Sequence, residues 1–303
     1  MIYDVVVVGG GPAGLSAALT LGRARKRVLL CDAGPPRNAA AVQIHGFVTR
    51  DGITPTEFRR IGREQLALYP GVEIRNQRVE EIRGELGRFD VGLSAGNVET
   101  RRIVLCTGML DVMPDLDGFR ALWGKSIFQC PYCHGWEAQN RRFACLAQTV
   151  DMLEFALLLR GWSSDVVAMT DGRYTVSAAV SERLGRAGVR IEERRIARLV
   201  SIGDHLDHVE FLDGETLPRD LLFAHPCQRQ VAIVEALELA LDPAGFVQVD
   251  EMNRETSRAG IYAGGDLTTR AQGSIVAAAS GMMAAAMLNH ALTTELATTG
   301  ALH

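Results

Sequence analysis

Cys130-Pro-Tyr-Cys133-His134-Gly135 sets two thiols at a spacing that lets them toggle between dithiol and disulfide, and the chemistry this predicts is thiol–disulfide exchange. Pro131-Tyr132 and Gly135 suit a turn leading into a helix that begins near Cys133, whose N-terminus would favour a thiolate. His134 adjoins the pair, and an imidazole with an ordinary pKa near 6.5 can accept a thiol proton around neutrality. Glu137 either serves the same centre or is a favourable carboxylate in a first helical turn. The string also matches covalent haem attachment, but no export signal accompanies it and the nucleotide motifs described next would be left without a role. A zinc site needs four ligands, and no second Cys-x-x-Cys or histidine pair is at hand, so no metal is expected.

The elements that must position this pair are nucleotide-binding in type. Val5 to Val8 is a β-branched run suited to a parallel strand covered on both faces, followed at once by Gly9-Gly-Gly-Pro-Ala-Gly14 and a helical stretch from Leu15 to Gly22. In this loop Gly9 permits the tight turn, Gly11 lets backbone amides approach a pyrophosphate, and Gly14 allows close packing of helix on strand, with the helix N-terminus beside Pro12 and Ala13 supplying partial positive charge. A second strand, Arg27 to Cys31, ends in Asp32, whose carboxylate can accept from ribose hydroxyls.

Near the other end, Gly260-Ile-Tyr-Ala-Gly-Gly-Asp266 reads as an apolar strand closing on Gly265-Asp266, followed by Gln272-Gly273-Ser274 and a long Ala-rich helix. This pattern resembles the second flavin motif of the pyridine nucleotide–disulfide oxidoreductases, and Val104-Leu-Cys-Thr107-Gly108 resembles their Ala-Thr-Gly segment with Cys106 in place of alanine. The cofactor implied is FAD, with Asp266 on the ribitol chain and the following helix N-terminus facing the isoalloxazine.

The dithiol is similar to that of the low-molecular-weight thioredoxin reductases, which carry Cys-x-x-Cys-Asp-Gly within a second nucleotide-type domain, and closer still to the dithiol oxidases of gliotoxin and holomycin, whose motif continues through an aromatic residue and a glutamate. The resemblance covers essentially the whole chain. It implies an α/β fold of two Rossmann-like, three-layer ββα domains, a homodimer, and a division of labour in which Cys133 faces the flavin and Cys130 exchanges with substrate. His134 stands where the reductases have an acid. A discontinuous FAD domain (1–112 and 246–303) is expected to enclose a dithiol domain (113–245), with crossings at Pro114 to Gly118 and Asp242 to Gly245.

One part of the reductase pattern is missing. Where a second glycine fingerprint should follow the dithiol, Ala147, Thr149 and Met152 stand, and side chains there obstruct a pyrophosphate. After the strand Asp165 to Met169, Thr170-Asp171-Gly172 replaces the basic cluster that holds the phosphate of NADPH. Asp171 retains the option of a ribose, as in NAD enzymes, and Arg173 reads as a solvated cation. His45, in the turn-rich loop before a helix over Thr54 to Leu68, and the segment His225 to Gln230 are further candidates for lining a site.

Composition bounds the rest. At 303 residues, 47% of them apolar and with a net charge of −4, the chain is expected to form two domains and to have no nucleic-acid partner. The N-terminus lacks the features of a signal peptide, and the apolar stretch Ile275 to Leu288 falls short of the roughly 20 residues of a membrane span. Cys31, Cys106, Cys145 and Cys227 are expected as small buried apolar residues, in keeping with a reducing cytoplasm. The leading expectation is an FAD-dependent oxidoreductase that oxidises a small dithiol at Cys130 and Cys133 without NADPH. A reductase of thioredoxin-like proteins or small disulfides, fed by NADH, ferredoxin or another flavoprotein, is the alternative, and a flavin redox sensor without turnover a third reading.

Overall fold

The structure, a computed structural model, describes residues 2–301. It contains two compact units, the first formed by the chain up to residue 39, by 53–110 and from 228 onward, the second by 40–52 and 111–227. The first unit opens with strand β1 (Ile2–Val8), helix α1 (Pro12–Arg23), β2 (Val28–Cys31), α2 (Pro55–Leu66), β3 (Val72–Arg75), β4 (Val79–Glu85), β5 (Arg88–Leu93) and β6 (Gly96–Leu105). After β7 (Leu110–Val112) come α3 (Phe119–Leu122), β8 (Ile127–Phe128), α4 (Pro131–His134), β9 (Arg142–Leu146), α5 (Met152–Leu159), β10 (Asp165–Met169), α6 (Ala178–Arg186), β11 (Val189–Glu192), β12 (Ile196–Ile202), β13 (His205–Phe211), β14 (Thr216–Pro218) and β15 (Leu221–Phe223). The chain returns through β16 (Cys227–Arg229) to α7 (Ala232–Glu235), β17 (Ile261–Ala263) and α8 (Ser274–Thr298).

Each unit repeats one plan. In the first, β3, β2, β1, β6 and β17 pair in parallel, while the opening residues of β6 also pair antiparallel with β5, and β5 with β4. In the second, β11, β10, β9, β15 and β8 form a parallel sheet, and β12, β13 and β14 an antiparallel one. This is the three-layer α/β architecture expected. The β-branched run of β1 shows why: Val5 and Val7 join Ala17, Leu21 and Leu288 in the helix layer, whereas Val6 and Val8 join Phe89 and Leu105 on the opposite face. A parallel strand covered on both faces must be apolar at every position, and Val5 to Val8 are.

Two boundaries differ from expectation. The return crossing comes at 227–228 rather than near 245, because Val234, Leu237, Leu239, Phe246 and Val247 pack into the same core as Phe89 and Ile103. The segment 40–52 packs with the second unit, where a side chain at Gly124 would collide with the Ala40 backbone. The apolar C-terminal element is also longer than its most apolar stretch. α8 has 25 residues and is, among the described residues, the one helix long and apolar enough to cross a membrane by length and composition; a third of its most apolar window is buried.

α8 buries a stripe of small residues against α1. A Cβ at Gly281 would overlap the Ala13 carbonyl, and one at Gly264, after β17, would meet the Ser280 carbonyl at 2.8 Å. These close approaches bring the starts of both helices to the C-terminal edge of the parallel sheet, where α/β proteins bind ligands. Replacing Gly281 by Val is expected to push α8 off α1 and lower stability by about 2 kcal/mol, read as a reduced melting temperature. An unchanged melting temperature would mean that the helices do not meet there.

Candidate functional site

Four loops meet at that edge of the first unit: those after β1, β2, β6 and β17. Gly9 has φ +110°, a conformation only glycine adopts without strain, and a Cβ there would strike the Cys106 carbonyl of the 106–108 segment. A Cβ at Gly14 would overlap the Gly9 carbonyl, so that glycine sets the packing of α1 on its own loop. Gly11 is different: nothing lies within 4 Å of where its Cβ would be. The N-cap of α1 is Gly11, with no side-chain cap, and the first helical amide to find an acceptor in the loop is that of Leu15, on the Gly11 carbonyl at 2.9 Å. Among the described residues this leaves the amides of Ala13 and Gly14 for an outside acceptor, beside the positive end of the helix.

Asp32 follows β2, its side chain only 8% exposed. One carboxylate oxygen takes Arg59 and, at 2.5 Å, Arg63, both from α2; the other accepts from the Gly34 amide at 3.4 Å. Arg59 also reaches the Gly34 carbonyl at 3.0 Å, so the sheet, the helix and the loop after β2 are tied at this acid. At the other half of the cradle, Gly265 has φ +96° and leads into Asp266, whose carboxylate takes Arg37 at 3.0 Å. Arg37 also donates to Gln272 at 2.6 Å, and Gln272 exchanges amide hydrogen bonds of 2.8 and 3.0 Å with Gln228. Gly273 is the N-cap of α8 and Ser274 its first residue. Thr107 and Gly108, φ +65°, lie just beyond the Cys106 carbonyl that faces Gly9. The space over Gly11, the uncapped helix start and the carboxylate at the end of β2 fit a dinucleotide. Arg37, Arg59 and Arg63 carried no motif signal, because each meets its partner only through the fold, whereas Gln228 lies in the segment His225 to Gln230 expected to line a site.

The matching position in the second unit is built differently. After β9 the fully buried Ala147 begins a loop into α5 whose first amides are already used: Met152 donates to Thr149, Leu153 to Val150 and Glu154 to Asp151, at 3.0–3.3 Å. Tyr174 lies over the same loop, its hydroxyl 3.1 Å from the Ala147 carbonyl and 2.9 Å from that of Thr149. Asp171, φ +54°, spends one oxygen on the Ile196 amide at 2.8 Å and stands between Arg173 and Arg195 at 3.7 and 3.6 Å. Arg173 is therefore an ion-pair partner, not a free cation.

The dithiol follows β8 in the second unit. Cys130 and Cys133 form a disulfide with Cα atoms 5.3 Å apart. Here the helix differs from expectation: α4 is one turn, Pro131–His134, with Cys130 as its N-cap and Cys133 as its third residue. Proline at the first helical position starts the turn at Pro131, so Cys133 stands third in a one-turn helix rather than at its start. Gly135 is required for packing, since a Cβ there would press on Trp162 at 2.8 Å. Tyr132, 72% exposed, meets Trp162 edge-on at 5.3 Å.

His134 stacks on Phe128 with centroids 4.1 Å apart, and both ring nitrogens are buried without a hydrogen-bond partner. Burial lowers its pKa below the ordinary histidine value; the Cys130 carbonyl favours the protonated form without completing a hydrogen bond, His45 opposes it and Glu137 supports it. The ring is consequently held toward its neutral form, in which one nitrogen is an acceptor. His45 lies beside this centre, its Nε2 3.6 Å from Glu137 and its Nδ1 3.5 Å from Asp51. Of the remaining cysteines, Cys31, Cys106 and Cys145 are buried, and burial pushes each thiol up to about 12, whereas Cys227 is exposed, contrary to expectation. It lies on the crossing strand β16, outside either core.

A family model described as pyridine nucleotide-disulphide oxidoreductase matches residues 3–285. A thioredoxin reductase of Claviceps purpurea, tcpT, is 32% identical over 88% of this chain and 86% of its own. Among solved structures, HlmI superposes with a TM-score of 0.91 at 35% identity, covering 98% of this chain and 95% of that one. A Bacillus anthracis protein described as a putative thioredoxin reductase, TrxB, also gives 0.91, at 34% identity and coverage of 97% and 99%.

The cradle makes a sharp prediction. Gly11→Val leaves protein contacts untouched, so the cofactor-free protein should melt within about 1 kcal/mol of the parent while FAD affinity falls at least tenfold, as measured by flavin fluorescence on release. Unaltered FAD retention would show that the pyrophosphate lies elsewhere.

Proposed function

The chain belongs to the pyridine nucleotide–disulphide oxidoreductase family and is an FAD-binding oxidoreductase acting on sulfur groups, and from that premise we propose that it oxidises small dithiols to disulfides without drawing electrons from NADPH. The observation that carries this reading is the closed second cradle: Tyr174 on the Ala147 and Thr149 carbonyls, with the first amides of α5 bonded within their own loop. A pyrophosphate needs those amides, so a nicotinamide dinucleotide has no seat there.

A substrate thiolate attacks Sγ of Cys130, the Cys130–Cys133 bond breaks, and Cys133 leaves as a thiolate. The second substrate sulfur attacks the sulfur of the first, closing the substrate disulfide and releasing Cys130. For each disulfide made, two electrons pass to the cysteine pair and two protons leave the substrate, one to the neutral ring of His134 beside the pair and the other to the Cys130 thiolate as it is released. Bound FAD supplies the two-electron acceptor that restores the cysteine disulfide, with dioxygen or another external oxidant as the final sink. Gly9, Gly11, Gly14, Asp32, Asp266, Gln272 and the starts of α1 and α8 would hold it.

The names of the relatives favour a second reading, reduction of a thioredoxin-like protein or small disulfide with electrons from NADH, ferredoxin or another flavoprotein. A homodimer and a cytoplasmic location belong to the proposal as well. The variant Cys130→Ser tests the assigned attack site: dithiol turnover should drop about 10²-fold or more while FAD content stays at the parental level. Full turnover by that variant would refute the mechanism.

A further inference from the structure

The second unit recruits residues 40–52 from a part of the sequence far from the dithiol, and that segment brings His45 to Glu137. His45 is held between two carboxylates, with Asp51 on its other nitrogen; Asp51 in turn accepts the Gly46 amide at 2.8 Å, and the Gly52 amide bonds to Ile44 at 2.9 Å. The loop is thus closed on itself around the ring, whose side chain is 15% exposed. Glu137 and His134 line one cavity of about 170 Å³, together with Lys125, Arg141, His205 and Asp220. Lys125 is paired with Asp204 at 2.6 Å and Asp220 with Arg142 at 2.5 Å. On its own turn His134 has Tyr132, which is exposed, and the two cysteines, tied in their disulfide. The groups whose charges act on its ring are Glu137 and His45, and they act in opposite senses.

We propose that His45 is a positioning residue for the dithiol centre: by holding the Glu137 carboxylate it sets how strongly that carboxylate draws a proton onto His134. The inference rests on His134 being the proton acceptor of the proposed reaction. In that step a substrate S–H bond breaks, its electron pair stays on the attacking sulfur, and an N–H bond forms on His134. A carboxylate free of its partner would hold that proton on the ring and keep the base occupied. With His45 in place, the carboxylate has a neighbour besides the His134 ring, and burial holds that ring toward its neutral form.

The test is a proton NMR titration of the histidine C2–H signals in the oxidised, FAD-loaded protein, with the His134 signal assigned by its loss in His134→Gln. His45→Gln should raise the His134 midpoint and Glu137→Gln should lower it, each by about half a pH unit or more. The acid limb of anaerobic flavin bleaching by a dithiol such as dithiothreitol should move with it, upward in His45→Gln and downward in Glu137→Gln. A merely structural role for His45 would move neither in opposite directions. Midpoints that stay fixed, or that move the same way in both variants, overturn the proposal. If they split as expected while the wild-type flavin is not bleached by dithiol, the His45 assignment stands and the dithiol-oxidising reading falls.

Discussion

The proposed function depends on the fate of a few backbone amides at the start of two equivalent helices. Both units present a parallel strand, a loop and a helix in the same order. At α1, three glycines let the loop fold against Cys106 and leave amides with no acceptor of their own. At α5, side chains stand where glycines would be, the first amides are bonded to the loop, and Tyr174 closes over its carbonyls. A helix N-terminus binds a phosphate only if its donors are free. The first unit offers free amides at its helix start; the second has the same architecture with its first helical amides bonded within the loop, and carries the disulfide.

The dithiol turn follows from a similar economy of space. Pro131 opens a single helical turn, Gly135 lets that turn lie on Trp162, and the stacking of His134 on Phe128 buries the imidazole. An imidazole whose nitrogens are buried without partners is held neutral, because burial disfavours its charged form. The three other buried cysteines illustrate the same rule from the opposite side: burial pushes their thiols up to about 12, against a smaller opposing effect of Arg75 at Cys31, and disfavours the reactive thiolate. What sets Cys130 and Cys133 apart is their pairing on a partly exposed turn beside a base.

Much of this was legible in the sequence wherever a function is written in contiguous residues. The glycine loop, Asp32, Gly265-Asp266 and Cys130-x-x-Cys133 each state their geometry locally, and Ala147, Thr149 and Met152 state the absence of a second glycine fingerprint in the same way. The residues that were not legible act across long separations: Arg59 and Arg63 reach Asp32, Arg37 reaches Gln272, and Tyr174 bonds to a loop more than twenty residues upstream. Their partners are set by the fold, and nothing in an isolated arginine or tyrosine announces them. The start of α4 was misplaced because a one-turn helix led by proline has too few residues for a periodic signal. The return crossing was misplaced because the Asp242 to Gly245 turn, which reads as a linker, lies between residues that pack into the core of the first unit.

The most direct test of the account is an anaerobic titration of the FAD-loaded protein, following flavin absorbance on addition of NADPH, NADH and a small dithiol in separate experiments. The account predicts stoichiometric bleaching by the dithiol and none by either nucleotide. Rapid bleaching by NADPH or NADH would contradict it, because a nicotinamide dinucleotide would then have found a seat that the closed loop of the second unit does not provide.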